Sequence, residues 1–313
     1  MKQNARQGNQ NIERMKKKNP RVKPSAAQNT KPYKTRRQAH QLSLSNLDDI
    51  QPYAIGNEAV LNPGQAKIRA RRRRLKYGKL RKHFYMTRFK VVRRHLPDTR
   101  KATRDNLRAM LRAYPSLFLK PDLGSGGHGI LKIMKTPSSY TVKYGTETKH
   151  YTSFRSLYTM IRPLLLKRRY VLQKGIRLLR IKQRPFDIRV MVQKNRNRKF
   201  VVTGIIGRLA KEGKIVTNYH SGGTPLPVEV LLRNHIGIKR RGRYVKKIAL
   251  VGKRASIAMS KRFRDLKAFG VDIAIDPAKK LWILEVNTKP DKQIFNTLND
   301  KTMYRRVLRF AKY

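Results

Sequence analysis

Two regimes of apolar patterning divide the chain. Across residues 1–41, apolar side chains stand singly among Lys, Arg, Asn, Gln and Pro. Such a stretch buries too little surface to offset the entropy of ordering it, so disorder is expected there. Residues 42–65 are less basic and carry enough apolar residues for a short docking segment. A basic run follows, Ile68 to Lys82, with Arg69 and Arg71 to Arg74, which reads as a solvated basic helix or as one that binds a polyanion. From about Gly78 the pattern becomes that of a folded domain. In DNLRAMLRAY, Leu107, Met110, Leu111 and Ala113 recur at helical spacing, which predicts an amphipathic helix over Asp105–Tyr114. Further helices are predicted at Phe154–Leu166 and Lys247–Phe269. Strands are predicted at Leu117–Lys120, Ile130–Met134, Tyr140–Tyr144, Tyr170–Gln173, Asp187–Gln193, Phe200–Arg208, Asp272–Asp276 and Leu281–Val286. Strands interleaved with helices predict an α+β or α/β domain over 78–313, preceded by a basic tail over 1–77.

Composition sharpens this picture. The 313 residues include 76 Lys or Arg and 17 Asp or Glu, a formal charge of +59. That excess predicts attraction to polyanions and says nothing about fold. Apolar content of 39% agrees with a part of the chain staying unpacked. Without cysteine there is no disulfide framework, thiolate zinc site or cysteine nucleophile. The opening residues carry no apolar signal core, and no apolar run reaches the roughly 20 residues of a membrane span. A cytoplasmic protein is expected.

Three clusters carry candidate chemistry. In LFLKPDLGSGGHG, a strand ends at Lys120 and runs into glycines at 124, 126, 127 and 129, with Ser125 and His128 among them. Glycine lets successive amides turn toward an anion. No GK[ST] follows, so this is not a P-loop. Strand, glycine loop and strand together predict a hairpin flap over phosphates; the loop alone reads equally as a flexible turn. Next, FGVDIAID and LWILEVN predict two antiparallel strands. Glu285 and Asn287, two apart, share a face that Asp272 can reach. Two carboxylates and an amide oxygen suit magnesium shared with substrate phosphate; the alternative is a polar strand edge. Third, Asp187 and Arg189 alternate with Ile188 and Val190, Arg208 ends the next strand, and Asn218 precedes Ser221-Gly222-Gly223. Arginine suits a bidentate clamp on phosphate or carboxylate, although any one arginine in so basic a chain also reads as surface charge.

Taken in order, the LKP-glycine loop, YVLQKGI, FDIRV, GR, N…GG, VD and LEVN resemble the ATP-grasp superfamily. The fuller strings FDIRVMVQKN, TGIIGRLAKEGKIVTN and EVNTKPDKQIFN are similar to its YheC/YheD family, which is associated with endospore coats. The resemblance covers roughly 78–313. It implies an ATP-grasp fold of two α+β subdomains clasping ATP, and a magnesium-dependent carboxylate–amine ligase working through an acyl phosphate. It implies that Lys79, Lys120, Gly124, Ser125, Gly126, Gly127, Gly129, Gln173, Lys174, Gly175, Ile176 and Asp187 bind nucleotide. Asp272, Glu285 and Asn287 would hold two magnesium ions, with manganese able to replace them, and Arg189, Arg208 and Asn218 would surround the transferred phosphate. His128 reads as a loop residue near phosphate rather than a general base. Many ATP-grasp enzymes carry an N-terminal α/β domain; here the short basic tail is expected in the corresponding place. Two other readings stand beside this one: a non-catalytic nucleotide-binding or structural spore component that attaches to polyanions, and a nucleic-acid binder without ATP chemistry. No zinc-finger or RRM signature supports the last.

Deleting residues 1–77 should weaken binding to DNA and to polyglutamate. It should also reduce, without abolishing, the log-linear fall of affinity with salt that counterion release produces. Identical salt slopes for the full chain and for 78–313 would place the anchor elsewhere.

Overall fold

A computed structural model describes residues 78–313 apart from Ser125 and Asn218. The expected tail over 1–77, with the segment 42–65 and most of the basic run, lies outside the described residues. In chain order the elements are α1 (Lys79–Thr87), α2 (Lys90–Arg93), β1 (Thr99–Lys101), α3 (Arg104–Ala113), β2 (Ser116–Pro121), β3 (Leu131–Lys135), β4 (Tyr140–Tyr144) and β5 (Glu147–Tyr151). They continue with α4 (Phe154–Lys167), β6 (Tyr170–Lys174), β7 (Arg180–Ile181), β8 (Arg184–Lys194), β9 (Phe200–Leu209), β10 (Thr224–Leu226) and α5 (Val228–Leu232). The last are α6 (Ile238–Ser260), β11 (Ala268–Ile275), β12 (Leu281–Asn287) and α7 (Thr302–Ala311).

Two antiparallel sheets result. The first runs β1-β6-β2-β3-β4-β5, and the second β10-β9-β8-β11-β12 with β7 beside β8. Leu107, Met110 and Leu111 of α3 and Leu157 and Ile161 of α4 pack with Leu117, Leu119 and Ile133 of the first sheet. Both helices start on side-chain caps. Thr103 accepts from the Asn106 amide, and Ser153 forms a reciprocal box with Ser156.

In the second sheet, β8 is buried on both faces. Ile188, Val190 and Val192 meet Ile248, Val251 and Ala255 of α6. On the opposite face, Met191 and Ile206 pack under Phe295 and Val307. That apolar cover extends over only part of the face. The remainder carries Asp187, Arg189, Arg208 and Asp272, all buried and polar.

The helix predicted over Lys247–Phe269 is displaced. It begins nine residues earlier, at Ile238, because its first turns are solvated and basic and show no apolar stripe. It ends at Ser260, and Phe269 belongs to β11, where it pairs with Val192. Asp276 lies beyond its strand, in a turn where its carboxylate accepts from the Lys280 amide and the Trp282 indole. Strand β5, ETKHY, has no apolar alternation because it is an exposed edge, and sequence pattern does not reveal it. Among the described residues no helix is long and apolar enough to cross a membrane.

The contact between α6 and the sheet gives a paired test. A Cβ at Gly252 would meet Val190 Cγ1 at 2.7 Å and Cβ at 2.9 Å, whereas one at Gly242 in the same helix meets nothing within 4 Å. Gly252→Ala should therefore destabilise the fold by about 1–3 kcal/mol through overpacking. Gly242→Ala should stabilise it by up to about 1 kcal/mol. Urea midpoints of the two variants against the parent decide the matter.

Candidate functional site

Between the sheets lies a cleft whose wall includes Lys79, Lys120, Gly124, Gly126, Gly127, Gln173, Lys174, Ile176, Asp187, Arg208, Asp272, Glu285 and Asn287. These come from six strands, one helix and two loops. Of the residues singled out from sequence, Arg189, Gly129 and Gly175 do not line the cleft, and Ser125 and Asn218 lie outside the described residues. Arg189 stands just behind it, through its contact with Asp272. Gly175 is closed off by the Ser116 carbonyl, which a Cβ would meet at 2.9 Å.

The first sheet supplies the roof. Strands β2 and β3 pair from Ser116↔Met134 to Leu119↔Leu131, so the loop between them is a hairpin. Gly124, Gly126, Gly127 and Gly129 all have positive φ, between 69° and 129°, which side chains oppose. His128 faces the cleft from this loop. Ser221 donates to the Gly126 carbonyl at 2.7 Å and ties the loop after β9 to the flap. Lys120, at the end of β2, donates to Gln173 Oε1 at 2.6 Å, and Gln173 donates in turn to Thr99. Burial pushes the Lys120 ammonium down to about 8, against the pull of nearby Glu285.

The second sheet supplies a network of paired charges. The registers Asp187↔Arg208 and Arg189↔Asp272 set each arginine opposite a carboxylate on the neighbouring strand. Arg208 grips Asp187 with Nε at 2.8 Å and its terminal nitrogen at 2.5 Å, and that nitrogen also lies 3.1 Å from Asp272. Arg189 holds the other Asp272 oxygen at 2.5 Å. Asn287 donates to Asp272 at 3.2 Å. Burial alone would raise the Asp272 carboxyl, but Arg189 and Arg208 outweigh it and hold the pKa down at about 2.

Glu285 reaches the cleft because of an irregularity in β12. Leu281 and Ile283 face the core with Val286, which strict alternation forbids. Asp272 pairs with Glu285 while Ile273 pairs with Ile283, so Leu284 is an extra residue. The bulge turns Leu284, Glu285 and Asn287 toward the cleft together. Lys79 and Lys82 each lie 3.6 Å from Glu285, and Lys79 also donates to the Gly124 carbonyl of the flap at 2.8 Å. Lys82, which sequence reasoning passed over, is buried and donates to the Val286 carbonyl at 2.7 Å. Its only sequence signal was its place three residues after Lys79, on one face of α1. Burial lowers the Lys82 pKa, and the neighbouring Glu285 opposes that. Phe118, Leu178 and Leu284 add an apolar slot. Among the described residues, no three His, Cys, Asp or Glu side chains are grouped to hold a metal by themselves.

Two antiparallel sheets closing on a cleft of lysines, arginines and carboxylates beneath a glycine flap form an ATP-grasp fold. The family described as YheC/D like ATP-grasp matches residues 73–313, and the chain belongs to that family. Among curated proteins it is 28% identical over 213 residues to the endospore coat-associated protein YheD of Bacillus subtilis, covering 64% of this chain and 46% of that protein. To YheC of the same organism it is 23% identical over 208 residues, covering 65% and 57%. The chain thus spans about half the length of the curated relatives it matches. Among solved structures, N5-carboxyaminoimidazole synthetase from Staphylococcus aureus, complexed with ADP, is 11% identical, with a TM-score of 0.46 over 75% of this chain and 52% of that one.

The charge network sets an acid dependence. The folded pKa of Asp272, about 2, lies below its ordinary 3.8. Its contribution, on the order of 2 kcal/mol, is therefore present above pH ~4 and lost as pH falls toward 2. Asp272→Asn should cost at least that much at pH 7, and the gap between parent and variant should close on acidification. Urea unfolding at a series of pH values measures it, and a gap independent of pH would contradict the pairing.

Proposed function

We propose that this protein is an ATP- and magnesium-dependent ligase that joins a carboxylate to an amine. The observation that carries the reading is the charge balance of the cleft. Lys79, Lys82, Lys120, Arg189 and Arg208 surround three carboxylates, Asp187, Asp272 and Glu285. The surplus of cations suits a polyphosphate, and the apolar slot beside it suits a flat base.

In this reading, Phe118, Ile176, Leu178 and Leu284 enclose the adenine ring, with the backbone at Gln173 and Lys174 along its edge. The flap turns the amides of Gly124, Gly126 and Gly127 onto the phosphates, and Lys79 and Lys120 contact them. Asp187 holds Arg208 in place. Asp272, Glu285 and Asn287 offer hard oxygen donors that fit magnesium, whose remaining positions water and phosphate would fill. Bound there, magnesium would neutralise charge on the transferring phosphoryl group. Arg189 acts through Asp272, and Arg208 faces the reacting phosphate, where the resemblance also assigns Asn218. A substrate carboxylate oxygen takes the γ-phosphoryl group, and the bond to ADP breaks. An amine nitrogen then attacks the acyl carbon, phosphate leaves, and the nitrogen loses a proton to give an amide. No side-chain nucleophile is required. The shared name of the two Bacillus relatives supports a place at the spore coat, and the basic segment over 1–77 would anchor the protein to an acidic polymer or nucleic acid.

A second reading has its own support. Each cleft carboxylate already has a guanidinium or ammonium partner, an arrangement that holds the strands of the second sheet and helix α1 together without metal. Nucleotide binding without turnover across a broad panel of acids and amines would favour it.

Lys120→Ala should weaken binding of a fluorescent ATP analogue by roughly 10- to 100-fold, as expected for loss of a charged hydrogen bond. Lys132→Ala, on the neighbouring strand, should leave it near the parent value. Parental affinity should decline as pH rises above about 8, where Lys120 loses its proton, with a flatter profile in the alanine variant. Glu285→Gln should abolish ADP release while preserving the circular dichroism spectrum. Undiminished release would remove Glu285 from the site.

A further inference from the structure

Helix α1 has two working faces. At roughly 100° per residue, Lys79, Lys82 and Met86 share the side turned to the cleft and core, and Arg81, Phe84, Tyr85 and Arg88 fall on the opposite side. There they join Arg262 and Phe263, just beyond the end of α6, to line a groove of about 310 Å³. Phe263 is buried and forms the floor with Tyr85. Phe84 is 55% exposed. The Arg88 guanidinium lies 5.8 Å from the Tyr85 ring centre, and on the flank the Lys261 ammonium lies 5.4 Å from that of Phe89. Arg81, Arg88 and Arg262 form no ion pair with any described carboxylate.

We infer that this groove binds single-stranded nucleic acid. Unpaired cations alone attract any polyanion. Here Arg81 and Arg88 flank the aromatic residues Phe84 and Tyr85 on one face of α1 and its C-cap, and that combination selects a polyanion whose repeating unit has a flat ring. Bases stack on aromatic side chains and guanidinium planes while arginines neutralise the adjoining phosphates. An acidic polypeptide would use the arginines and gain nothing from Phe84. Stacking and phosphate neutralisation engage features that every nucleotide shares, so recognition is tolerant of sequence. The site stands apart from the nucleotide cleft, on the far face of the same helix.

The test uses the full chain, with labelled oligothymidylate and a polyglutamate of equal charge as probes in fluorescence anisotropy. Phe84→Ala should lower affinity for the oligonucleotide roughly fivefold or more, leaving affinity for polyglutamate unchanged. Because the ring is exposed, its removal leaves no void. Replacing Arg81, Arg88 and Arg262 by Gln should reduce the salt slope for the oligonucleotide by about 2. The same replacement of Arg305, Arg306 and Arg309, exposed on α7, should reduce it less. Photo-crosslinking with a halogenated oligonucleotide should label the peptide holding Phe84 and Tyr85. Phe84→Ala without effect on oligonucleotide binding, equal loss for both probes, equal slopes for the two triple variants, or crosslinks confined to other segments would each overturn the assignment.

Discussion

Four side chains on three adjacent strands hold the second sheet and the cleft to one geometry. Asp187, Arg189, Arg208 and Asp272 are each at least 93% withdrawn from solvent. A charge so withdrawn costs several kcal/mol unless paired at hydrogen-bond distance. The strands must therefore adopt the registers that set Asp187 against Arg208 and Asp272 against Arg189. A one-residue slip would turn these charges into the face covered by α6 and leave Ile188 and Val190 in the cleft. The ionic cluster fixes register more than it adds stability. The stability comes from the apolar layers on either side.

Those layers explain why the cleft lies where it does. The face of β8 and β9 that carries the charges is divided. Met191 and Ile206 are covered by Phe295 and Val307, and Gly204 leaves room for the Phe295 ring, which a Cβ would meet at 2.6 Å. Beyond that cover the same face turns polar and meets the first sheet. The flap is tied to this region at two points, through Lys79 to the Gly124 carbonyl and through Ser221 to the Gly126 carbonyl. Helix α1 is tied to the first sheet as well, because Asp122 accepts from its Leu80 amide and fills the space that a side chain at Gly78 would need. Flap, helix and charged sheet face thus form one connected structure, and α1 joins the cleft to the outer groove.

The α+β class, most strand centres and most of the cleft residues were legible in the sequence. Strands such as Tyr140–Tyr144 alternate visibly, the glycine loop is bracketed by strands, and carboxylates inside apolar strands stand out in a chain with so few of them. These are local signals, set by the period of the backbone and by which residues tolerate positive φ. Elements without an apolar stripe, such as β5 and the basic first turns of α6, left no such trace because solvent rather than packing surrounds them. Tertiary structure alone decided the rest. Counting by twos from Leu281 and Ile283 would send Glu285 and Asn287 into the core; only the extra residue Leu284, accommodated where β12 pairs with β11, turns them out. The partners of Asp272 and the burial of Lys82 depend on strands and helices brought together from far along the chain, and electrostatic pairing acts through space, which no local periodicity records.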